Sequence, residues 1–228
     1  MTTYGWVGLS GGLTPGPDEL YTPLSAVEAG LRRYRKCFAG KTVICNCDDP
    51  SESSFVKYFI RGFDSLGLKK LIAVSCHGSP AAGEEVSLFP QPGIWDGPVP
   101  AHRLTVTRRG RKLKRMLTPL KGGGDFRSPE CIRLLKQSDI AVTVPPFSLF
   151  GEYLRLTVSY GRSFLVLGPV EAAVSPEVLP LIRAGRVRPD FADPCGEFLF
   201  RVPGDPSRSL RPVNALCWFT DLTPPGNG

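Results

Sequence analysis

Residues 42–50 read Thr42-Val43-Ile44-Cys45-Asn46-Cys47-Asp48-Asp49-Pro50; Phe55, Tyr58, Phe59, Phe63 and Leu66 follow, and then a second apolar run over Lys70–Ser75. The first run is short, apolar and β-branched, which predicts a buried strand over Thr42–Cys47. Asp48-Asp49-Pro50-Ser51 is a helix-start signal, and the aromatic spacing of three and four predicts a helix stopped by Gly67. The Lys70–Ser75 run reads as the next buried strand. Strand, helix and strand in that order form the unit of a parallel sheet.

Outward from this unit the alternation continues. Leu24, Val27, Leu31 and Tyr34 predict a helix over Leu24–Phe38, stopped by Gly40. Downstream, Leu104–Thr107 and Lys112–Leu117 flank Arg108-Arg109-Gly110-Arg111, a predicted β-hairpin with a basic tip. Pro129–Gln137 is a predicted helix with Ser128 as N-cap. Asp139–Val144 reads as a strand, Leu149–Tyr160 as a helix, Ser163–Leu167 as a strand and Pro176–Ala184 as a helix. Phe198–Val202 and Val213–Thr220 complete the strands. The fold class is therefore α/β, a mainly parallel sheet with helices on both faces plus the basic hairpin. In such sheets ligands sit beyond the carboxyl ends of the strands, so chemistry is expected after Cys47, Ser75, Val144 and Leu167. Residues 18–221 read as one domain, with Gly- and Pro-rich ends at 1–17 and 222–228 and a proline-rich loop over 78–100.

At 228 residues and 42% hydrophobic, the chain has enough apolar material for a sizeable core, which excludes global disorder. Its net charge of +7 is concentrated. Arg103, Arg108, Arg109, Arg111, Lys112, Lys114 and Arg115 stand within thirteen residues without an acid, and the rest of the chain is balanced. A single-sign patch of this kind favours a polyanionic partner such as nucleic acid. The longest apolar runs are too short for a membrane helix, the first residues lack the pattern of a signal peptide, and seven cysteines in a chain of this size fit reduced thiols in the cytoplasm. Cys45 and Cys47 have no ligand-spaced partners, so no metal is expected. His77 and His102 have no spacing that would make either part of a nucleophilic pair.

The strand ends carry the candidate chemistry. Asp48 and Asp49 are suited to a cationic group or to ribose hydroxyls, and equally to capping the next helix. Neither a Gly-x-Gly-x-x-Gly nor a P-loop pattern occurs. At Val144-Pro145-Pro146-Phe147 the double proline forces an extended backbone with free carbonyls, and the aromatic ring after it is a stacking surface. Carbonyl acceptors above a ring are what an extruded base requires; a rigid strand-to-helix turn would also use these residues.

Taken together, Asp18-Glu19-Leu20-Tyr21-Thr22, Cys45-Asn46-Cys47-Asp48-Asp49-Pro50, Phe55-to-Phe59, Gly124-Asp125-Phe126-Arg127-Ser128 through Glu130-Cys131, Asp139-to-Thr143, Pro145-Pro146-Phe147-Ser148-Leu149-Phe150 and Cys217-Trp218-Phe219-Thr220 resemble the EcoRI-type adenine-specific DNA methyltransferase family, in family order. The resemblance implies a Rossmann-like S-adenosylmethionine-dependent fold and methyl transfer to N6 of adenine in DNA. It implies that Tyr21, Thr22 and Pro23 contact the cofactor, that Asp48, Asp49 and Pro50 hold its amino-acid part, and that Asp125 and Phe126 hold its adenosine. Phe147 would stack on the flipped adenine, and the Pro145 carbonyl would accept from N6. Arg108, Arg109, Arg111, Lys112, Lys114 and Arg115 would contact DNA phosphates beside the cleft.

Two positions depart from the family. Its Asn-Pro-Pro-Phe appears here with Val144, and its Gly-Asn-x-Asn-Ala turn appears as Gly168-Pro169-Val170-Glu171-Ala172. The exocyclic amine of adenine is a poor nucleophile, and valine offers its hydrogens no acceptor. An unpaired buried donor costs about 1–3 kcal/mol. Asp125 and Glu171 are the candidate replacements. The sequence thus leaves open an active adenine-N6 methyltransferase with an altered pocket, an inactive relative that still binds DNA or cofactor, and a methyltransferase for a different acceptor.

Overall fold

The computed structural model describes residues 22–51, 53–75, 101–191, 198–201, 210–213 and 216–225. Tyr21, the 1–17 segment and the 78–100 loop lie outside these residues, as do His77 and residues 226–228 of the expected tail.

The described strands are β1 (Thr42–Cys45), β2 (Lys70–Val74), β3 (His102–Arg109), β4 (Lys112–Pro119), β5 (Ile140–Thr143), β6 (Ser163–Pro169), β7 (Arg188–Asp190), β8 (Phe198–Arg201), β9 (Leu210–Val213) and β10 (Leu216–Thr220). Eight form one sheet in the order β4-β3-β2-β1-β5-β6-β10-β7, and β8 pairs with β9 apart from it. The central β2-β1-β5-β6 strands are parallel. On the flanks, β3, β4, β10 and β7 all join by antiparallel pairing. The parallel character that continuous apolar runs imply belongs to the centre. β3–β4 form a tight hairpin turning at Gly110 (φ 57°), where a left-handed backbone favours glycine.

Helices α1 (Leu24–Leu31), α2 (Ser54–Arg61), α3 (Pro129–Lys136), α4 (Phe150–Ser159) and α5 (Leu179–Arg183) accompany the sheet. After Leu31 the first helix tightens into a 3₁₀ helix over Arg32–Phe38. The cap of α2 is Ser53, whose hydroxyl accepts from the Phe55 and Val56 N–H groups, so the Asp48–Ser51 signal marks a loop rather than the cap itself. Ser128 caps α3 as its sequence predicts, accepting from Cys131 N–H.

Strand alternation divides the core in two. Val43, Cys45, Leu71, Ala73, Leu165, Leu167 and Trp218 face α1 and α2 and meet Val27, Leu31, Phe55 and Phe59. Ile44, Ile72, Val74, Phe164, Val166 and Phe219 face the opposite way and meet Cys131 and Leu135 of α3 and Phe150 and Tyr153 of α4. Burying each large apolar side chain contributes roughly 1.5–3 kcal/mol, so both faces of the centre are strongly specified. Among the described residues no helix is long and apolar enough to cross a membrane. Cys37, Cys45, Cys47, Cys131 and Cys217 are free thiols.

Candidate functional site

From β1 the chain passes to β2 on one side and later to β5 on the other. This reversal opens a crevice at the carboxyl ends of β1 and β5, where ligands bind in open α/β sheets. The two strand ends are tied together by Asp48. Its carboxylate is buried, accepts from Ser53 Oγ at 2.6 Å and from Thr143 Oγ1, and receives the Val144 backbone N–H. Burial pushes its carboxyl up to about 6, even though these donors hold it down; Asp49 adds to the rise. Asp48 thus links the loop after β1 to the first residue of Val144-Pro145-Pro146-Phe147. Asp49 Oδ1 closes the same loop, accepting from the Ser51 N–H at 2.7 Å and from Ser51 Oγ at 2.6 Å. Pro50, between them, is half-buried.

Among the described residues, two buried donors toward this end of the sheet have no hydrogen-bond partner. Tyr153 of α4 donates its hydroxyl to Asn46 Oδ1 at 2.6 Å, leaving the Asn46 Nδ2 without a hydrogen bond at 0% exposure. The Thr22 hydroxyl is likewise buried and unpaired. Helix α1 and its 3₁₀ extension lead into the amino end of β1, so Thr22 and Pro23, which precede the helix, lie toward the carboxyl end of the sheet. Burial pushes the Cys45 and Cys47 thiols well above their ordinary range, making them poor thiolates.

Pro145 is buried, and Val144 and Phe147 pack at the edge of the core that faces α1 and α2. Leu149 N–H donates to the Pro146 carbonyl at 3.0 Å. Beside Phe147 opens a cleft of about 1080 Å³, lined also by Glu152, Arg155, Pro169 and Glu171. Of the two candidate acceptors, Asp125 is committed to Arg127, whose guanidinium Nη2 lies 2.6 Å from Oδ2 and whose backbone N–H donates at 2.8 Å. Burial works to raise the Asp125 pKa, but the Arg127 hydrogen bonds outweigh it and the net shift is downward. Glu171 is exposed and shares the cleft with Phe147. Phe126 is 1% exposed, its ring edge-on to Tyr153 at 5.2 Å and under Arg127, so its face is spent in the core.

The hairpin cations lie elsewhere than their sequence position suggests. Val74, at the carboxyl end of β2, pairs with Arg103, whereas Lys70 at the amino end pairs with Thr107. The base of the hairpin therefore stands at the crevice end of the sheet, and Arg108, Arg109, Arg111 and Lys112 at the opposite end. Gly124-Asp125 follows the base, not the tip, which is why adjacency in sequence misleads.

Ser53 and Tyr153 escape a reading based on motifs, and Asn46 and Thr143 lie within motif stretches that give them no role of their own. Asn46 and Thr143 did stand at expected strand ends; Tyr153 shows only as part of a helical apolar stripe.

The sequence profile described as adenine-specific methyltransferase EcoRI matches residues 14–224. The chain is 39% identical over 221 residues to the Type II methyltransferase M.EcoRI of Escherichia coli, covering 90% of this chain and 65% of that protein. It is 39% identical to M.MgeORF184P of Mycoplasma genitalium (69% of this chain, 42% of the relative) and 38% identical to M.MpnI of Mycoplasma pneumoniae (66% and 40%). The chain thus spans between two fifths and just under two thirds of the length of these relatives. No solved structure is matched. With the profile running through both strand ends of the crevice, this chain belongs to the EcoRI family of adenine-specific methyltransferases.

Proposed function

We propose that the chain is a DNA adenine-N6 methyltransferase with an altered target-base pocket. The observation that carries this is the meeting, at the switch point of the sheet, of a loop with an unsatisfied buried donor, Asn46, and a Pro-Pro-Phe turn beside an open cleft, in a chain of this family. The relatives named above are Type II methyltransferases.

The donors fit S-adenosylmethionine, whose carboxylate and hydroxyls take N–H and O–H groups: Thr22 has an O–H and Asn46 an amide NH2 to give. When bound, the cofactor supplies an electrophilic methyl group on a sulfonium. Tyr21, Thr22 and Pro23 would contact it, Asp49 and Pro50 would face its amino-acid part, and Asp125 and Phe126 would border its adenosine. Asp48, held by three donors from both strand ends, acts by positioning the two loops. Phe147 stacks the extruded adenine, and the carbonyl of Pro145 accepts one amine hydrogen. Glu171 accepts the other, in place of the side chain that Val144 lacks. Such an acceptor localises the amine lone pair toward the incoming methyl, and preorganised contacts of this kind are worth about 10²–10³ in rate. The reduced cysteines support a cytoplasmic setting, and we read 18–221 as one working unit with the hairpin as its phosphate-binding part.

A second reading is favoured by Val144 itself: a relative that keeps binding and has lost transfer. Purified protein, a Val144→Asn variant and a Glu171→Ala variant are incubated with methyl-labelled cofactor and mixed-sequence DNA. Label recovered as N6-methyladenine from the native protein, falling about 10²-fold or more in Glu171→Ala, supports the first reading. Label from Val144→Asn alone refutes it and supports the second.

A further inference from the structure

The register of β3 and β4 sorts the basic cluster by face. Residues directly opposite in an antiparallel pair point the same way. Leu104 faces Leu117, Val106 faces Arg115 and Arg108 faces Leu113. This side is the packed one: Leu104 and Val106 are buried in the core beneath α1 and α2, and Leu113 and Leu117 pack against it. Arg108 on this side is held in an ion pair with Asp64.

The other side carries Arg103 opposite Thr118, Thr105 opposite Met116, Thr107 opposite Lys114 and Arg109 opposite Lys112. It continues the sheet face that Ile72 and Val74 bury against α3 and α4. At β3 and β4 the buried apolar residues of this face stop. Arg109, Lys112, Lys114 and Met116 are exposed, and among the described residues these three cations have neither ion pair nor side-chain hydrogen bond. Arg103 is oriented along this face by its Nε bond to Thr118 at 3.2 Å. The result is a cationic shelf, starting at the crevice end with Arg103 and ending at the far end with Arg109 and Lys112.

We propose that this open face is a track for duplex DNA phosphates that leads away from the reacting base, gripping flanking duplex instead of the target site. Six strand residues separate Arg103 from Arg109, about 20 Å at roughly 3.3 Å each. That corresponds to about six base pairs at roughly 3.4 Å per pair along one strand. The inference rests on DNA being the substrate, as proposed above. Charge complementarity selects the occupant: a row of exposed cations over one face, with no acid within the hairpin, suits a regularly spaced polyanion. The competing role is edge protection, because β4 is the outer strand of the sheet and lysines there blunt pairing with other sheets.

Binding of the full chain to a labelled mixed-sequence duplex is measured by anisotropy across salt concentrations. The triple variant Arg109→Gln, Lys112→Gln, Lys114→Gln is compared with Arg108→Gln, Arg115→Gln from the opposite side, each checked for an unchanged melting temperature. The open-face variant is expected to flatten the slope of log affinity against log salt by about 3 and to lose on the order of a hundredfold in affinity at 0.1 M salt. The opposite-side pair should change the slope by less than about 1. With Lys112 replaced by a benzophenone amino acid, the crosslinked nucleotide is expected in the flanking duplex, at least about six base pairs from the methylated adenine. Equal losses from both faces, or a crosslink at the methylated base, overturn the track while leaving DNA as the substrate. Unchanged affinity together with new self-association of the triple variant overturns it in favour of edge protection. A native protein that binds no DNA removes both the track and the reading on which it rests.

Discussion

At the scale of single residues the crevice is organised by a buried carboxylate that ties its two strand ends together. Asp48 takes in Ser53, Thr143 and the Val144 N–H, joining segments 95 residues apart. Its position has a consequence for pH. Burial raises its pKa from 3.8 to about 6, so the folded state holds this proton where the unfolded chain has released it. Between those values stability falls as pH rises: the contribution is whole below about 4 and lost above about 6. A shift of this size amounts to about 3 kcal/mol at most. Urea unfolding from pH 4 to 7 is expected to show a downward slope over this window in the native protein and a flatter one in Asp48→Asn, which does not titrate. Equal slopes would mean that Asp48 does not carry the proton. The sequence placed Asp48 at a strand end, but a partner 95 positions away leaves no local trace, and the same carboxylate serves equally well on paper as a ligand.

At the scale of elements, the seating of α1 on β10 depends on a missing side chain. A Cβ on Gly30 would lie 2.2 Å from Trp218 Nε1, and Trp218 is 3% exposed, edge-on to Phe55 at 6.0 Å. Gly30→Ala improves helix propensity by about 1 kcal/mol, yet the overlap forces α1 off the sheet. A net loss of about 1–3 kcal/mol is expected, read as a melting temperature lower by several degrees and a red-shifted tryptophan emission. Combining it with Trp218→Leu should recover part of the loss, since the two residues share one contact. The elements that were legible in sequence are those with strong periodicity: β1, β2, β5 and β6 as apolar runs, α2 as an aromatic stripe, α3 by its Ser128-Pro129 start. Those that were not carry weak patterns. β7 is three residues with a proline at its centre, β9 stands as a separate strand before β10 where one strand was expected over Val213–Thr220, and the Pro176–Ala184 helix is cut to Leu179–Arg183. Direction was the other gap: the hairpin was readable, but only its antiparallel pairing to β2 shows that its tip points away from the crevice.

At the scale of the whole molecule, the sheet separates two tasks. Its carboxyl end gathers the Pro-Pro-Phe turn, the Asp48 post and the two unpaired donors, while one flank carries the charge. The +7 of the chain therefore describes the flank and says nothing of the pocket. Binding of the cofactor should be felt by the entire fold, because a ligand bound only to the native state stabilises it. At one hundred times its dissociation constant the gain is about 2.7 kcal/mol, or a melting temperature higher by roughly 5–10 °C for a domain of this size. Thr22 makes this a test of the site and not merely of the ligand. Its buried hydroxyl has no partner among the described residues, a state that costs about 1–3 kcal/mol. Thr22→Val replaces the hydroxyl with a methyl group of similar size, so the ligand-free variant should melt no lower than the native protein and by this reasoning somewhat higher. With S-adenosylmethionine present, its temperature rise should shrink, because the group that met the ligand is gone. A rise of the same size in both proteins would remove Thr22 from the cofactor site. A variant that melts lower without ligand would show that the hydroxyl is already satisfied within the fold.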